Sequence, residues 1–131
     1  MFITADQVLA HAVGDYILQS DWMANEKRKS HLAAAIHALT YTAPFLFLTL
    51  DIRALAFIGI THFIIDRWGI ARYVVWAKNA PYPGSSKWQH CTATGYPQDR
   101  PAFLSVWLLI IADNILHVIC NGVALKWIAE L

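Results

Sequence analysis

Three times in this chain a histidine and an aspartate stand four residues apart inside an apolar run: His11 and Asp15 in "HAVGD", His62 and Asp66 in "HFIID", Asp113 and His117 in "DNILH". On a helix an i, i+4 pair stacks its side chains on one face, about 5–6 Å apart. Ionisable groups in a greasy segment are costly unless they are paired or coordinated. Any fold of this chain therefore has to turn those three faces towards one another. His37, in the segment "HLAAAIHALTYTAPFLFLTL" and without an aspartate four residues away, is a seventh such residue.

The runs that carry these residues are long. They cover about Phe2–Gln19, His31–Leu50, Arg53–Ala77 and Ala102–Ile128. A membrane-spanning helix needs roughly 20 mostly apolar residues. The last three runs reach that length; the first is short and carries Asp6, which suits a tilted, re-entrant or interfacial helix. The chain is 57% hydrophobic and 15% charged, against about 45–50% and about 25% in soluble domains. With no period-two alternation to suggest strands, the expected fold is an all-α integral membrane four-helix bundle, one domain over residues 1–131.

The connections set the orientation. "SDWMANEKRKS" (20–30) is polar and basic, "DIR" (51–53) is a tight turn, and residues 78–101 form a long Pro-, Gly- and Ser-rich loop. Lys27, Arg28 and Lys29 lie in the first connection; Arg72, Lys78, Lys87 and Arg100 lie in or near the third. The positive-inside rule then puts loops 20–30 and 78–101 on the cytoplasmic side of a bacterial inner membrane, with both termini outside. No secretory leader is expected at the N-terminus. A net charge of +1 gives no reason to expect a nucleic-acid partner. Cys91 and Cys120 fall in a polar loop and an apolar run, which suits free thiols better than a bridge.

The order of the pairs carries further information. The first and third helices run in the same direction and read His-then-Asp; the fourth runs the other way and reads Asp-then-His. Asp15, Asp66 and Asp113 thus fall in one layer nearer the basic loops. His11, His62 and His117 fall one turn deeper, where His37 can join them. Seven such groups exceed the needs of one tetrahedral ion. Three ionised aspartates are balanced by two divalent ions sharing one hydroxide, and a low-dielectric interior favours that neutral sum. We therefore expect one or two divalent ions, with a two-metal site preferred. Mixed imidazole and carboxylate ligation suits zinc first, with manganese or iron as alternatives. Gln19, Tyr41, Asn114 and Asn121 lie on or beside the same faces and are candidates for orienting the ligands.

Blander readings stand beside this one. The pairs can be polar contacts gluing helices, or a proton or ion pathway, for which an oligomer of this chain would serve. The chain can also be a soluble helical protein. His31 and His90 lie in interfacial or loop positions and read as non-ligands, and Arg67 reads as a snorkelling or paired cation.

"HAVGDYILQSDWMA", "THFIIDRWGIARY", "TGYPQDRPAF" and "WLLIIADNILH" together resemble a family of small phage and bacterial membrane proteins known as a domain of unknown function. More distantly, the His/Asp layout resembles predicted membrane-bound, metal-dependent hydrolases, one bacterial member of which is under SOS control. On those motifs His11, Asp15, His37, His62 and Asp66 match. The resemblance implies a hydrolase using metal-activated water, and a site inside the bilayer implies a lipid or lipid-linked ester or phosphoester. Asp15 or Asp113 would be the general base. Lys27, Arg28, Lys29, Arg72 and Arg100 would gather an anionic headgroup, and loop 78–101 would cover the entrance. The competing expectation is a non-enzymatic membrane protein with a structural metal cluster.

Overall fold

The computed structural model describes residues 1–131. All regular secondary structure in the chain is helical, with no strand. Helix α1 (Ala5–Ala12) runs into a π-helical turn (Val13–Ile17), and α2 (Asp21–Glu26) follows. Helix α3 (His31–Thr42) tightens into a 3-10 turn (Ala43–Phe47) with Pro44 in its first positions. Then come α4 (Ile52–Trp68), α5 (Ile70–Asn79), a 3-10 turn (Trp88–His90), and α6 (Ala102–Val123) with a π-helical end (Ala124–Ile128). The chain divides into two compact units, Met1–Trp68 with His117–Leu131, and Gly69–Leu116.

Local chemistry starts each helix of the first unit. The hydroxyls of Thr4, Ser20 and Ser30 accept the backbone N–H groups of Gln7, Met23 and Ala33 at 3.2–3.3 Å, satisfying donors that a helix start leaves open. At α4 that acceptor is Asp51, bonded by the N–H of Arg53 at 2.8 Å. The Arg53 guanidinium also donates to Asp51 at 2.6 Å, and it holds that half-buried carboxyl down at about 2.

Two sequence expectations change here. The third apolar run is not one helix. It breaks at Gly69, whose φ of 58° is left-handed, a conformation nearly closed to residues with a Cβ. The polar and basic connection 20–30 carries a short helix, α2, that its sequence reading did not give. As for spans, Ala102–Ile128 is long and apolar enough to cross a membrane; α4 and α5 qualify only if counted together across their break. The run from His31 is helical as far as Phe47, short of the Leu50 expected.

Within the first unit, antiparallel α3 and α4 place their residues in layers. Phe45, Ala54, Leu55 and Ile58 form an apolar core with Ala10, Tyr41 and Ala124. One to two turns along the same two helices, the buried side chains become His37, His62 and Asp66. Gln7 is also buried, and its amide donates to the carbonyl of Val118 at 2.7 Å, tying α1 to the end of α6. The outside of the helices is apolar: Leu9, Ile17, Leu39, Phe47 and Ile60 are exposed.

In the second unit, the 78–101 loop folds back on α5. The Trp76 indole donates to the carbonyl of Ser86 at 2.9 Å. A Cβ on Gly95 would meet the Arg72 carbonyl oxygen at 2.4 Å, so only glycine allows that approach. Cys91, within this loop, is buried and Cys120 is half-buried in the first unit; both are free thiols.

Candidate metal centre

Gly14 and the π-helical turn bring Asp15 to the interior. A Cβ on Gly14 would lie 2.6 Å from the Tyr41 ring and 3.0 Å from its carbonyl oxygen, so α1 reaches α3 this closely only with glycine there. The π turn, a feature often found where a helix is re-aimed for function, carries the buried carboxylate of Asp15. Helix α3 supplies His37, and α4 supplies His62 and Asp66 one turn apart.

Four atoms converge. His37 Nε2 lies 2.9 Å from His62 Nε2, 3.2 Å from Asp15 Oδ1 and 3.1 Å from Asp66 Oδ2. His62 Nε2 lies 3.5 Å from Asp15 Oδ1 and 3.0 Å from Asp66 Oδ2. All four residues are buried, and their ligand atoms fall within 4.8 Å of one another. Each imidazole nitrogen carries at most one proton, so these approaches cannot all be hydrogen bonds. Four ligands on a tetrahedral zinc, at about 2.0–2.1 Å from it, would be separated by about 3.3–3.4 Å. The observed approaches bracket that value. The cluster can hold a metal ion.

The second oxygen of each carboxylate faces another histidine. Asp15 Oδ2 lies 3.5 Å from His11 Nδ1, and Asp66 Oδ1 lies 3.3 Å from His117 Nε2. His11 Nδ1 is hydrogen-bonded to the Tyr41 hydroxyl at 2.8 Å, and that hydroxyl accepts the Asn121 amide at 2.7 Å. The Tyr41 ring stacks on His62 at 3.6 Å between centroids. The Nδ1 atoms of His37 and His62 are buried with no hydrogen-bond partner, so the His62 ring takes its orientation from packing against Tyr41.

The remaining sequence candidates are placed as follows. Asp113 and Asn114 lie on α6 within the second unit, half-buried, with Asp113 one turn before His117. The Gln19 amide donates to the Asp15 backbone carbonyl at 3.1 Å and not to its carboxylate. Lys27 reaches inwards, its ammonium 2.9 Å from Asp66 Oδ2. Arg28 offers its carbonyl to Arg67 at 2.6 Å, and Lys29 pairs with Glu26 at 3.3 Å. In the second unit Arg72 donates to the Thr92 carbonyl at 2.6 Å, while Arg100 helps line a cavity of about 150 Å³ beside Cys91 and Tyr96. His31 packs on Phe63, and within the second unit His90 bonds Gln89; neither belongs to the four-residue cluster. Sequence reasoning missed buried Gln7, whose polar side chain in the first apolar run was the available signal. It also missed the Lys27–Asp66 ion pair, which no local spacing shows.

A family model described as "Protein of unknown function (DUF3307)" matches residues 3–127. No curated protein matches the chain, and no solved structure does.

Proposed function

This chain belongs to the DUF3307 family of proteins of unknown function, and from that premise we propose that it is a membrane-embedded, metal-dependent hydrolase. The observation that carries the proposal is the convergence of Asp15, His37, His62 and Asp66 at separations suited to one tetrahedral ion. Two imidazoles and two carboxylates favour zinc. The second carboxylate oxygens face His11 and His117, and those histidines would be the further ligands of a second ion. With water as a fifth ligand beside the four side chains, such an ion would lower the pKa of that water and supply a nucleophile near neutral pH. Asp15, its side chain 8% exposed against 3% for Asp66, is the carboxylate better placed to exchange a proton with an incoming group.

An inverted distribution of polarity supports a multi-pass membrane setting. His11, Asp15, His37, His62, Asp66 and His117 are inside, and Leu9, Leu39, Phe47 and Ile60 are outside. Exposed apolar surface on this scale marks a lipid or partner contact. A lipidic ester or phosphoester is the substrate that such a setting would present.

Hydrolysis by detergent-purified protein of a chromogenic phosphodiester and of a chromogenic long-chain carboxyl ester tests this reading. Turnover of either is expected to vanish with a chelator, to return with zinc, and to be absent in His62→Ala. Turnover indifferent to the chelator, or none from ion-loaded protein, would count against it. The line of hydrogen-bonding groups from Asn121 through Tyr41 and His11 to Asp15 favours a second reading, a non-enzymatic proton or metal pathway. Ion-loaded protein that conducts protons in vesicles and hydrolyses neither probe would select it.

A further inference from the structure

The cavity of about 150 Å³ in the second unit is lined by Trp76, Tyr82, Ser85, Ser86, Tyr96 and Arg100. Its walls are held by hydrogen bonds. Pro83 and Gly84 form a turn closed by the Ser85 N–H on the Tyr82 carbonyl at 3.2 Å, and Gly84, at a φ of 80°, supplies the left-handed corner that such a turn requires. The Trp76 indole fixes Ser86 from α5, and the Gly95 N–H donates to the Cys91 carbonyl at 2.8 Å just before Tyr96. A comparable apolar cavity takes a molecule the size of benzene. Here a guanidinium and hydroxyls stand among the rings.

The polar groups of the lining are uncommitted. Arg100 spends its backbone N–H on the Pro97 carbonyl at 3.1 Å, while its exposed guanidinium meets no acceptor in the chain. The hydroxyls of Tyr82, Ser85 and Ser86 also bond to no group of the chain. Lys78 adds a second cation, its ammonium 5.6 Å from the centre of the Tyr96 ring. Asp99, beside Arg100 in sequence, is exposed and pairs with neither cation. Across the second unit Arg72, Lys78, Lys87 and Arg100 stand against Asp99 and Asp113, a balance that favours an anion. A guanidinium presents N–H donors in a fixed fork that matches two oxygens of a phosphate or a carboxylate. With the fork filled, a phosphoryl group has a further oxygen for the hydroxyls of the 82–86 turn, and a carboxylate has none. The surroundings suit a lipid as bearer of that group. Tyr73 and Tyr82 are exposed, and Trp88 stacks on Tyr73 at 4.4 Å and meets Trp76 edge-on at 5.8 Å. Rings with an apolar body and a polar edge gather at membrane–water interfaces.

We propose that this cavity is a phosphoryl-binding site in which Arg100 holds the group, carried on a lipid headgroup or free in solution. The site uses no residue of the metal cluster, and it stands or falls separately from the hydrolase reading.

Calorimetry on the detergent-purified full chain tests this, with inorganic phosphate, phosphatidate in mixed micelles, and acetate as probes. Wild type is compared with Arg100→Gln, Arg100→Lys and Lys87→Gln, each before and after treatment with a chelator. Wild type is expected to bind phosphate or phosphatidate, in both metal states, more tightly than acetate; the probe that binds shows whether the group is taken free or on a lipid. Arg100→Gln is expected to bind about tenfold or more weakly, the loss of one charge-assisted hydrogen bond, and Arg100→Lys to recover part of that binding. Lys87→Gln removes the same charge from the same loop outside the cavity, and is expected to bind like wild type. Wild type that binds neither phosphoryl probe, or that binds acetate as tightly, would overturn the proposal. So would equal binding by wild type and Arg100→Gln, or a loss in Lys87→Gln as large as that in Arg100→Gln, which would make the attraction one of diffuse charge. Binding that the chelator abolishes would place the anion at a metal ion and overturn it too. An Arg100→Gln variant that fails to fold would do the same, since the guanidinium would then serve the fold.

Discussion

Tyr41 shows how much one side chain can join. Its hydroxyl meets both His11 and Asn121, and its ring stacks on His62. From spacing alone, Tyr41 lies one turn from His37 and Asn121 one turn from His117. That they bond to each other, across helices, is a tertiary fact that no local pattern carries. Tyr41→Phe keeps the stacked ring and removes the hydroxyl, leaving a buried amide and imidazole without that partner. Such losses cost about 1–3 kcal/mol. Thermal unfolding in detergent is expected to show that destabilisation while metal content stays at the wild-type level, because His62 keeps its packing; an unchanged midpoint would show that the hydroxyl contributes nothing. Lys27 was illegible for a related reason. In "NEKRKS" it reads as one of three solvated cations, and only α2, short and weakly patterned, turns it inwards.

At the scale of elements, the i, i+4 pairs were the legible part. A helix repeats every 3.6 residues, so the spacing of His62 and Asp66 alone puts both on one face, and the antiparallel pairing of α3 and α4 brings His37 to them. The π turn and the Gly69 break were not legible, because a glycine inside an apolar run is compatible with an unbroken helix. Gly14 belongs to both stories, since its lack of a Cβ lets α1 lie against Tyr41. Gly14→Ala would force that contact apart, and overpacking of this kind costs about 1–3 kcal/mol. It would also draw Asp15 away from His37. The variant is expected both to unfold at lower temperature and to bind zinc more weakly in titration against a competing chelator. A variant with unchanged zinc affinity would show that the close approach of α1 does not position Asp15.

For the whole molecule, composition indicated helices, and all regular structure in the chain is helical; in the first unit many large apolar side chains are exposed around a buried polar cluster. The number of spans was less legible, since hydropathy counts residues and does not see Gly69 or the 3-10 turn at Pro44. If the polar interior is a metal centre, ligation and folding are linked, and the ion stabilises the folded state by mass action. The most direct measurement is the metal content of wild-type protein purified in detergent, beside His62→Ala, with X-ray absorption at the metal edge. We expect about one zinc or more per wild-type chain in a mixed nitrogen and oxygen environment at about 2.0–2.1 Å, and little or none in the variant. Wild-type protein that is folded yet takes up no stoichiometric ion after reconstitution, or a His62→Ala variant that holds as much as wild type, would contradict the metal centre.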